Sequence, residues 1–486
     1  MGVSHIRAAL AAVLIGFAVP APAQDVALQH RVEETLHQAG PGTRFGLVVT
    51  TLDGREIVAI APDQRFAPAS NTKLFSTAIA FDVLRVDGPD QTGGAAVRLD
   101  DSRPGAPDVV LVGHGDARLS SAADCAVNCL AELADVVAAR TRVVRDVIGD
   151  DSVFPDERWA PGMNWDDIPT RSGTAISALT LDDNELHLRV LPGAVGARAT
   201  IDGLRYFNID NDVITVAQGK TRVRYDRMPM SRDLRLSGTI VAGAEPELLR
   251  FGIDDPAHYA AWRMKTLLEA RGVRVTGAVS ARHRLLSPAD DPAERKGAPP
   301  ARPPSPEFLA RLNPPPLIED VTVTNKVSQN LHADLLLRRA ALVKGSGSIA
   351  DGQAAVDDML ERAGVEPWRI DLSDGSGMSS YNRVSPRGII DLLRWTAGQP
   401  WGAAFRETLP IGGVDGTLAN RFKGTPLEGR VFAKTGTLSV SNALSGFMTT
   451  ASGQTLIFSL FANDMPSGTR ATTAMDAALN LIAAAN

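Results

Sequence analysis

Cysteine is scarce in this sequence: Cys125 and Cys129 are the only two among 486 residues. Two thiolates cannot complete the four-ligand shell of a structural zinc ion, and none of the eight histidines forms an H-E-x-x-H pair. We therefore predict no metal site. If both cysteines lie on one helix, a spacing of four brings them within reach of a disulfide in an oxidising compartment. Two free buried thiols fit the same spacing equally well.

A large excess of charge of one sign is also missing. The formal net charge is −6 and is spread along the chain, which argues against nucleic-acid binding. After the N-terminal segment, no apolar run approaches the roughly 18 residues of a membrane-spanning helix, so no transmembrane segment is predicted. The glycine-rich stretch at residues 345–350 follows a helical pattern instead of a strand. It predicts a turn between helices, and no dinucleotide or other cofactor is expected.

The first 23 residues have the pattern of a cleavable secretory signal. A weakly basic start precedes an apolar stretch over residues 8–19, and Ala21, Pro22 and Ala23 form an A-x-A cleavage site. The apolar stretch is too short to span a bilayer, and no cysteine that could carry a lipid follows the cleavage site directly. The sequence therefore predicts export to the periplasm.

The segment around Ser70 predicts an activated serine. Pro68 suits the entry to a helix, and an apolar run over residues 75–84 follows. Ser70 and Lys73 are three residues apart, a spacing that places both side chains on one face of a helix. Backbone N–H groups in the first turn have no partner within the helix. A serine with an amine beside it in this position is a candidate nucleophile.

Two further short motifs lie in the second half of the chain. Ser328 and Asn330 form an S-x-N motif at the start of a helical pattern, and Lys434 opens a K-T-G-T motif after the apolar residues 431–433. The order S-x-x-K, S-x-N and K-T-G resembles the signature of penicillin-binding proteins and serine β-lactamases.

The spacing of the motifs narrows the resemblance. About 250 residues separate Lys73 from Ser328. A large insertion there resembles the class C low-molecular-mass penicillin-binding proteins, the serine-type D-alanyl-D-alanine carboxypeptidase/endopeptidase family. Four other stretches are similar to that family: residues 113–116 (G-H-G-D), 176–179 (I-S-A-L), 374–379 (D-G-S-G-M-S) and 409–418 (L-P-I-G-G-V-D-G-T-L). Two positions depart from it, because Ser172 replaces an expected aromatic residue and Ser380 a basic one.

The order of helical and strand patterns predicts a split domain. A helix and a β-hairpin precede Ser70, whereas residues 86–304 carry many short strand patterns, one clear helix over 255–271 and a proline-rich end. Helices and a strand–strand–helix ending follow. We expect an α/β (α+β) fold in which residues 24–85 and 305–486 form a transpeptidase-like domain, an antiparallel sheet with helices. Residues 86–304 would form a β-rich inserted domain.

The resemblance implies a role for each catalytic residue. Ser70 would attack the peptide carbonyl and form an acyl-enzyme, with neutral Lys73 as its base. Burial and the nearby charge of Lys434 would lower the pKa of Lys73. Ser328 would relay the proton from Lys73 to the leaving nitrogen.

The resemblance also implies a set of substrate-binding residues. These are Asn330 for the substrate amide, Lys434, Thr435 and Thr437 for the terminal carboxylate, Gly436 for close approach of the backbone, and Asp167. The backbone N–H groups of Ser70 and Thr437 would form the oxyanion hole on an edge strand. Asp166 and Asp167 could receive the free amine of a diaminopimelate side chain, or form a solvated acidic turn.

The implied activity is that of a periplasmic DD-carboxypeptidase/DD-endopeptidase. It would cleave D-Ala-D-Ala termini or D-alanyl crosslinks of peptidoglycan stem peptides and would be acylated by β-lactams. A serine β-lactamase or esterase on the same fold is disfavoured by the long insertion and by the lack of an obvious deacylating glutamate motif. A non-catalytic peptidoglycan-binding protein would not need all the polar motif residues. The sequence leaves open the oligomeric state and the balance of the two peptidase activities.

Overall fold

The computed structural model describes residues 26–300 and 307–486. The predicted signal peptide, residues 1–23, and the end of the proline-rich segment lie outside these ranges. Ten α-helices are present in the described ranges: α1 Val26–His37, α2 Lys73–Val83, α3 Leu130–Arg140, α4 Pro256–Ala270, α5 Leu317–Lys326, α6 Asn330–Lys344, α7 Ile349–Arg362, α8 Pro386–Ala397, α9 Gly402–Glu407 and α10 Thr472–Ala485. No helix in these ranges is long and apolar enough to cross a membrane.

The same ranges hold twenty β-strands. They are β1 Arg44–Thr51, β2 Glu56–Ile60, β3 Ala96–Asp100, β4 Asp108–Val112, β5 Val143–Val144, β6 Val147–Pro155, β7 Glu185–Leu191, β8 Thr200–Gly203, β9 Asn208–Val216, β10 Arg222–Asp226, β11 Asp233–Val241, β12 Glu247–Gly252, β13 Arg274–Val275, β14 Val279–Arg284, β15 Ala310–Arg311, β16 Ile370–Asp371, β17 Arg383–Val384, β18 Val431–Leu438, β19 Ser441–Thr449 and β20 Thr455–Asn463.

Five strands from both ends of the chain form one antiparallel sheet, in the order β18–β19–β20–β1–β2. Strand β1 is apolar along most of its length, and both of its faces are buried. Its Leu47 and Val49 belong to a core shared with α1 and α10. Val48, between them, belongs to a second core with α2 and α8. This is the antiparallel sheet with helices that the sequence predicts.

The chain between α2 and α5 forms sheets and a core of its own. A mixed sheet, β14–β6–β4–β3–β15, and the smaller sheets β12–β7–β8 and β10–β11–β9 account for most of its strands. Their apolar side chains pack with α3 and α4 in one core that extends from Ala95 to Leu312. The predicted α/β fold with a β-rich insertion is confirmed. The division at residues 85/86 and 304/305 stays a prediction.

The inserted region differs from the prediction in two places. Its described residues form two α-helices, since α3 lies ahead of the predicted helix α4. Cys129 is the N-cap of α3, so the usual Ser, Thr, Asp or Asn start signal is missing there. Cys125 and Cys129 form a disulfide, but they lie in the turn ahead of α3 and not on one helix. The bond closes this turn.

Candidate active site

The Ser70 segment is a short 3₁₀ turn, Ala69–Thr72, that leads into α2 at Lys73. Ala69 has a φ of +48°, a left-handed conformation that is unfavourable for a residue with a side chain. Gly377 lies so close to the Ala69 carbonyl group that a side chain on Gly377 would overlap it. Packing from the 374–379 loop therefore helps to hold the turn that presents Ser70.

The amine of Lys73 is fully buried and has three hydrogen-bond neighbours. Its Nζ lies 2.9 Å from Ser70 Oγ, 2.7 Å from Asn330 Oδ1 and 2.6 Å from the Ser376 carbonyl oxygen. The amide and carbonyl oxygens can only accept hydrogen bonds. A neutral amine has two hydrogens and one lone pair, so these two oxygens take both hydrogens. The lone pair is then left for the Ser70 hydroxyl, which is the arrangement a general base needs.

Burial sets the protonation of both active-site lysines. It lowers the pKa of Lys73 to about 8, although the nearby carboxylates of Asp334 and Asp374 act to raise it. Burial also lowers the pKa of Lys434 well below its usual value, and repulsion from Lys73 adds to this. Burial rather than the charge of Lys434 is therefore the main cause of the low pKa at Lys73.

Ser328 lies in the short connection between α5 and α6 with a φ of +66°. Its Oγ accepts a hydrogen bond of 2.9 Å from Lys434 Nζ, which also donates to the Thr435 carbonyl oxygen at 3.0 Å. Within the described chain, Ser328 is hydrogen-bonded to Lys434 and not to Lys73. Its own hydroxyl hydrogen is therefore free to turn towards a leaving group.

Asn330, the first residue of α6, links the base to the inserted region. Its Oδ1 accepts from Lys73, and its Nδ2 donates to the Ser172 carbonyl oxygen at 2.9 Å. These two contacts fix the orientation of the amide, because the Ser172 carbonyl oxygen can only accept a hydrogen bond and must therefore face Nδ2. One N–H of Asn330 remains for a substrate carbonyl group.

The K-T-G-T segment lies on β18, an edge strand of the antiparallel sheet, as predicted. Asn71 donates to the Lys434 carbonyl oxygen at 2.9 Å. A Cβ on Gly436 would come within 2.6 Å of the Pro68 carbonyl oxygen. The missing side chain at Gly436 therefore lets the Ser70 turn dock directly on the strand. Thr437, the next residue, is exposed.

A cleft of about 880 Å³ opens beside the end of β18. Thr437 and Asp167 both line it, as do Ser172 and Ser380, the two positions that depart from the family pattern. Asp166 is exposed and is not part of the lining. Of the two aspartates considered from the sequence, Asp167 is thus the one that lines this cleft.

Sequence reasoning did not single out Asp334, a partly buried carboxyl group near Lys73. Asp334 accepts a hydrogen bond of 2.7 Å from the Gly375 N–H. Burial and the neighbouring charge of Asp374 raise its pKa to about 7. One signal was available: Asp334 is four residues after Asn330 on α6, so both side chains lie on one face of the helix.

No group of His, Cys, Asp and Glu in the described ranges is arranged to hold a metal ion. The side chains gathered at this site are a serine, two buried amines and several hydroxyl and amide donors. Such a set suits acyl transfer to a serine.

Comparison with known proteins identifies the family. The model of the D-Ala-D-Ala carboxypeptidase 3 (S13) family matches residues 28–485, nearly the whole chain. The chain belongs to this family. The S13 membership confirms the resemblance that the three motifs carry.

Individual relatives agree with the S13 assignment. The D-alanyl-D-alanine carboxypeptidase of Actinomadura sp. (strain R39) is 33% identical over 434 residues, which are 86% of this chain and 77% of that protein. The D-alanyl-D-alanine carboxypeptidase DacB of Haemophilus influenzae is 26% identical over 451 residues, 90% and 89% of the two chains. The crystal structure of penicillin binding protein 4 (dacB) from H. influenzae has a TM-score of 0.76 at 23% identity and covers 93% of this chain and 98% of that one. It has the same fold.

Proposed function

We propose that this chain is a serine DD-carboxypeptidase that releases the terminal D-alanine of peptidoglycan stem peptides through an acyl-enzyme on Ser70. The observation that carries the proposal is the placement of the Lys73 amine. Its Nζ lies 2.9 Å from Ser70 Oγ, and the two oxygens that take its hydrogens leave its lone pair for the Ser70 hydroxyl. The name of the Actinomadura relative supports the substrate class.

In the first half-reaction, Ser70 Oγ attacks the carbonyl carbon of the penultimate D-alanine and gives its proton to Lys73 Nζ. The C–N bond then breaks, and the leaving nitrogen takes the hydrogen of Ser328. The Ser328 oxygen would then turn from Lys434 towards Lys73, and the proton held by Lys73 would replace the one that was given away. The hydrogen bond from Lys434 to Ser328 Oγ stabilises that oxygen during the transfer. The products of this half-reaction are an ester on Ser70 and free D-alanine.

In the second half-reaction, water attacks the ester carbonyl carbon and gives a proton to Lys73. The proton then passes to Ser70 Oγ as the ester bond breaks. In both halves the backbone N–H groups of Ser70 and Thr437 would donate to the carbonyl oxygen as it becomes negative. The close docking of the Ser70 turn on β18 at Gly436 supports this pairing.

The substrate carboxylate and side chain would be held on opposite parts of the K-T-G-T strand. Thr435 would bind the carboxylate at the end next to Ser328, Thr437 lines the cleft at the other end, and the free N–H of Asn330 would hold a substrate amide. Asp167 in the cleft would receive the amine of a diaminopimelate side chain. Ser172 and Ser380 are small, so the cleft also has room for a crosslinked peptide, which supports DD-endopeptidase activity.

The setting of this activity follows from the same proposal. The pattern of residues 1–23 supports export to the periplasm, where stem peptides are found. Acylation by β-lactams is proposed because a β-lactam presents a reactive carbonyl and a carboxylate as D-Ala-D-Ala does. One solved H. influenzae penicillin binding protein 4 structure contains a bound β-lactam.

The experiment that tests the proposed function measures release of D-alanine from an N-acylated peptide that ends in D-Ala-D-Ala. We expect release by the wild-type chain, none by Ser70→Ala, and none from the matching L-Ala-L-Ala peptide. Equal release from both peptides would contradict the assigned substrate class. Undiminished release by Ser70→Ala would contradict the assigned nucleophile.

A further inference from the structure

The 409–418 loop has no role in the mechanism above, although it contacts the K-T-G-T strand. Thr417, in the 3₁₀ turn Gly416–Leu418, brings its Oγ1 to 2.7 Å from Thr435 Oγ1. Thr417 is exposed, and Thr435 is only half-buried. The two hydroxyls therefore form a pair at the surface of the proposed substrate strand, where a ligand can reach both.

The loop that carries Thr417 is held in place from several sides. Asp415 accepts from the Ile411 N–H at 2.8 Å and from Lys326 Nζ at 2.6 Å. Gly416 has a φ of +55°, and a Cβ there would lie 2.7 Å from the Lys326 carbonyl oxygen. Ile411 in turn forms a β-bridge with Phe432 of β18. Thr417 is thus presented to Thr435 by a fixed loop, which is what a binding residue requires.

The two threonines of the K-T-G-T segment face different surroundings. Thr437 lines the cleft that also contains Asp167. Thr435 lies towards the other end of the segment, where its hydroxyl meets Thr417. Its carbonyl oxygen accepts a hydrogen bond from Lys434 Nζ, which also donates to Ser328. Ser328 is the group that we expect to protonate the leaving nitrogen. The Thr435–Thr417 end is therefore the end at which the leaving D-amino acid and its carboxylate would lie.

The count of hydrogen atoms shows why a second hydroxyl matters there. Lys434 Nζ already donates to Ser328 Oγ and to the Thr435 carbonyl oxygen, so a neutral amine has no hydrogen left for a carboxylate. Two hydroxyls that share one hydrogen bond have one free hydrogen between them, and both can turn outward when an anion arrives. Ser328 also has a hydroxyl at this end, but the proposed mechanism uses its hydrogen for the leaving nitrogen, so without Thr417 only the Thr435 hydroxyl would be left for the carboxylate.

We infer that Thr417 is a binding residue for the carboxylate of the leaving D-amino acid, where it acts with Thr435. The inference rests on the proposed DD-carboxypeptidase function and adds a specificity residue outside the three motifs. The carboxylate would accept one hydrogen bond from each hydroxyl in place of the bond between them. Specificity for a free C-terminal carboxylate over an amide would then depend on Thr417.

The test compares two peptides that end in D-Ala-D-Ala, one with a free carboxylate and one with a C-terminal amide. For each chain, kcat/KM is measured for both peptides, and the ratio of free acid to amide is the readout. We expect Thr417→Val to lower this ratio roughly tenfold or more, because it removes a hydrogen bond to a charged group. Thr417→Ser should restore the ratio.

Two controls separate this inference from the proposed function. Thr266→Val removes a helix-surface hydroxyl on α4, which bonds to the Trp262 carbonyl oxygen, and should leave the ratio unchanged. If the wild type cleaves neither peptide, the proposed function fails. The role of Thr417 is then tested by the ratio of two acylation rates, that of benzylpenicillin with its free carboxylate and that of its methyl ester. An unchanged ratio in Thr417→Val, by either measurement, overturns the role of Thr417.

Discussion

At the scale of single residues, the site depends on where the hydrogens of Lys73 go. Its two acceptors, Asn330 Oδ1 and the Ser376 carbonyl oxygen, orient the lone pair, and burial lowers its pKa to about 8. The carboxyl group of Asp334 works in the opposite direction, since a negative charge nearby stabilises the protonated amine. The fold thus holds the pKa of Lys73 close to neutral pH, where the amine can gain or lose a proton.

Replacing Asp334 by Asn should move the pH profile of the enzyme. Lys73 acts only when neutral, so kcat/KM should rise with pH through the pKa of Lys73, about 8 in the wild type. Because the Asp334 charge raises that pKa, Asp334→Asn should lower it and move the rising limb of kcat/KM towards lower pH. The measurement is kcat/KM for the D-Ala-D-Ala peptide across the pH range.

A control for this prediction is Asp357→Asn on α7. Asp357 is also partly buried with a raised pKa, but the cause is burial and the carboxylates of Asp358 and Asp371, and Lys73 takes no part. The pH profile of Asp357→Asn should match the wild type. A shift of the limb to higher pH in Asp334→Asn would contradict the sign of the interaction.

At the scale of elements, the site is the junction of the Ser70 turn with strand β18. Gly436 has no side chain that would keep the turn and the strand apart, and Asn71 of the turn donates a hydrogen bond to the Lys434 carbonyl oxygen. The nucleophile turn and the substrate strand are therefore in direct contact. Their relative position fixes the distance between Ser70 and the oxyanion donors.

Gly436→Ala should reduce kcat/KM about 100-fold, the loss typical of a misplacement of about 1 Å near the reacting atoms. The new Cβ, 2.6 Å from the Pro68 carbonyl oxygen, would push the turn away from β18. Gly398→Ala is the matched control, because a Cβ there would meet nothing closer than 3.5 Å. Equal activity of the two variants would contradict the role of this contact.

Patterns that depend on neighbouring residues were predictable from the sequence, and contacts between distant residues were not. The hairpin of β1 and β2 follows from two apolar runs around a turn, and the three motifs identified Ser70, Lys73, Ser328 and Lys434. Helix α3 was missed because its N-cap carries no usual start signal. The burial of Asp334 and the pairing of Thr417 with Thr435 arise only when separate segments pack together.

At the scale of the whole molecule, helix α6 joins the two cores through its first turn. Asn330 contacts Ser172 of the inserted region, and the buried His332 lies 2.9 Å from Asp183 of the same region. Burial acts to lower the pKa of His332, but the hydrogen bond that His332 donates to Asp183 and the charge of Asp320 outweigh it and leave the pKa raised. This hydrogen-bonded pair of an imidazole and a carboxylate therefore links the inserted region to the helix that begins at Asn330.

Replacing Asp183 by Asn should destabilise the protein in a pH-dependent way. A raised pKa means that protonated His332 stabilises the fold below its usual pKa of about 6.5, and that this contribution is lost as pH rises through the folded-state value. The thermal unfolding midpoint of Asp183→Asn should fall by a few degrees at about pH 5.5 and by less at about pH 9.5. Asn tolerates the φ of +55° at this position.

The exposed Asp87→Asn serves as the control and should leave the unfolding midpoint unchanged at both pH values. A destabilisation of Asp183→Asn that is the same at both pH values would show that charge on His332 contributes nothing to this interface.

The central claim, an acyl-enzyme on Ser70, is tested most directly by intact mass. Purified wild-type chain and its Ser70→Ala variant are mixed with benzylpenicillin and followed over time. We predict that the wild type gains the mass of one drug molecule, that peptide mapping places it on Ser70, and that the variant gains none. Rapid drug hydrolysis without a lasting adduct would indicate a β-lactamase instead. Neither adduct nor hydrolysis would contradict the acyl-transfer mechanism itself.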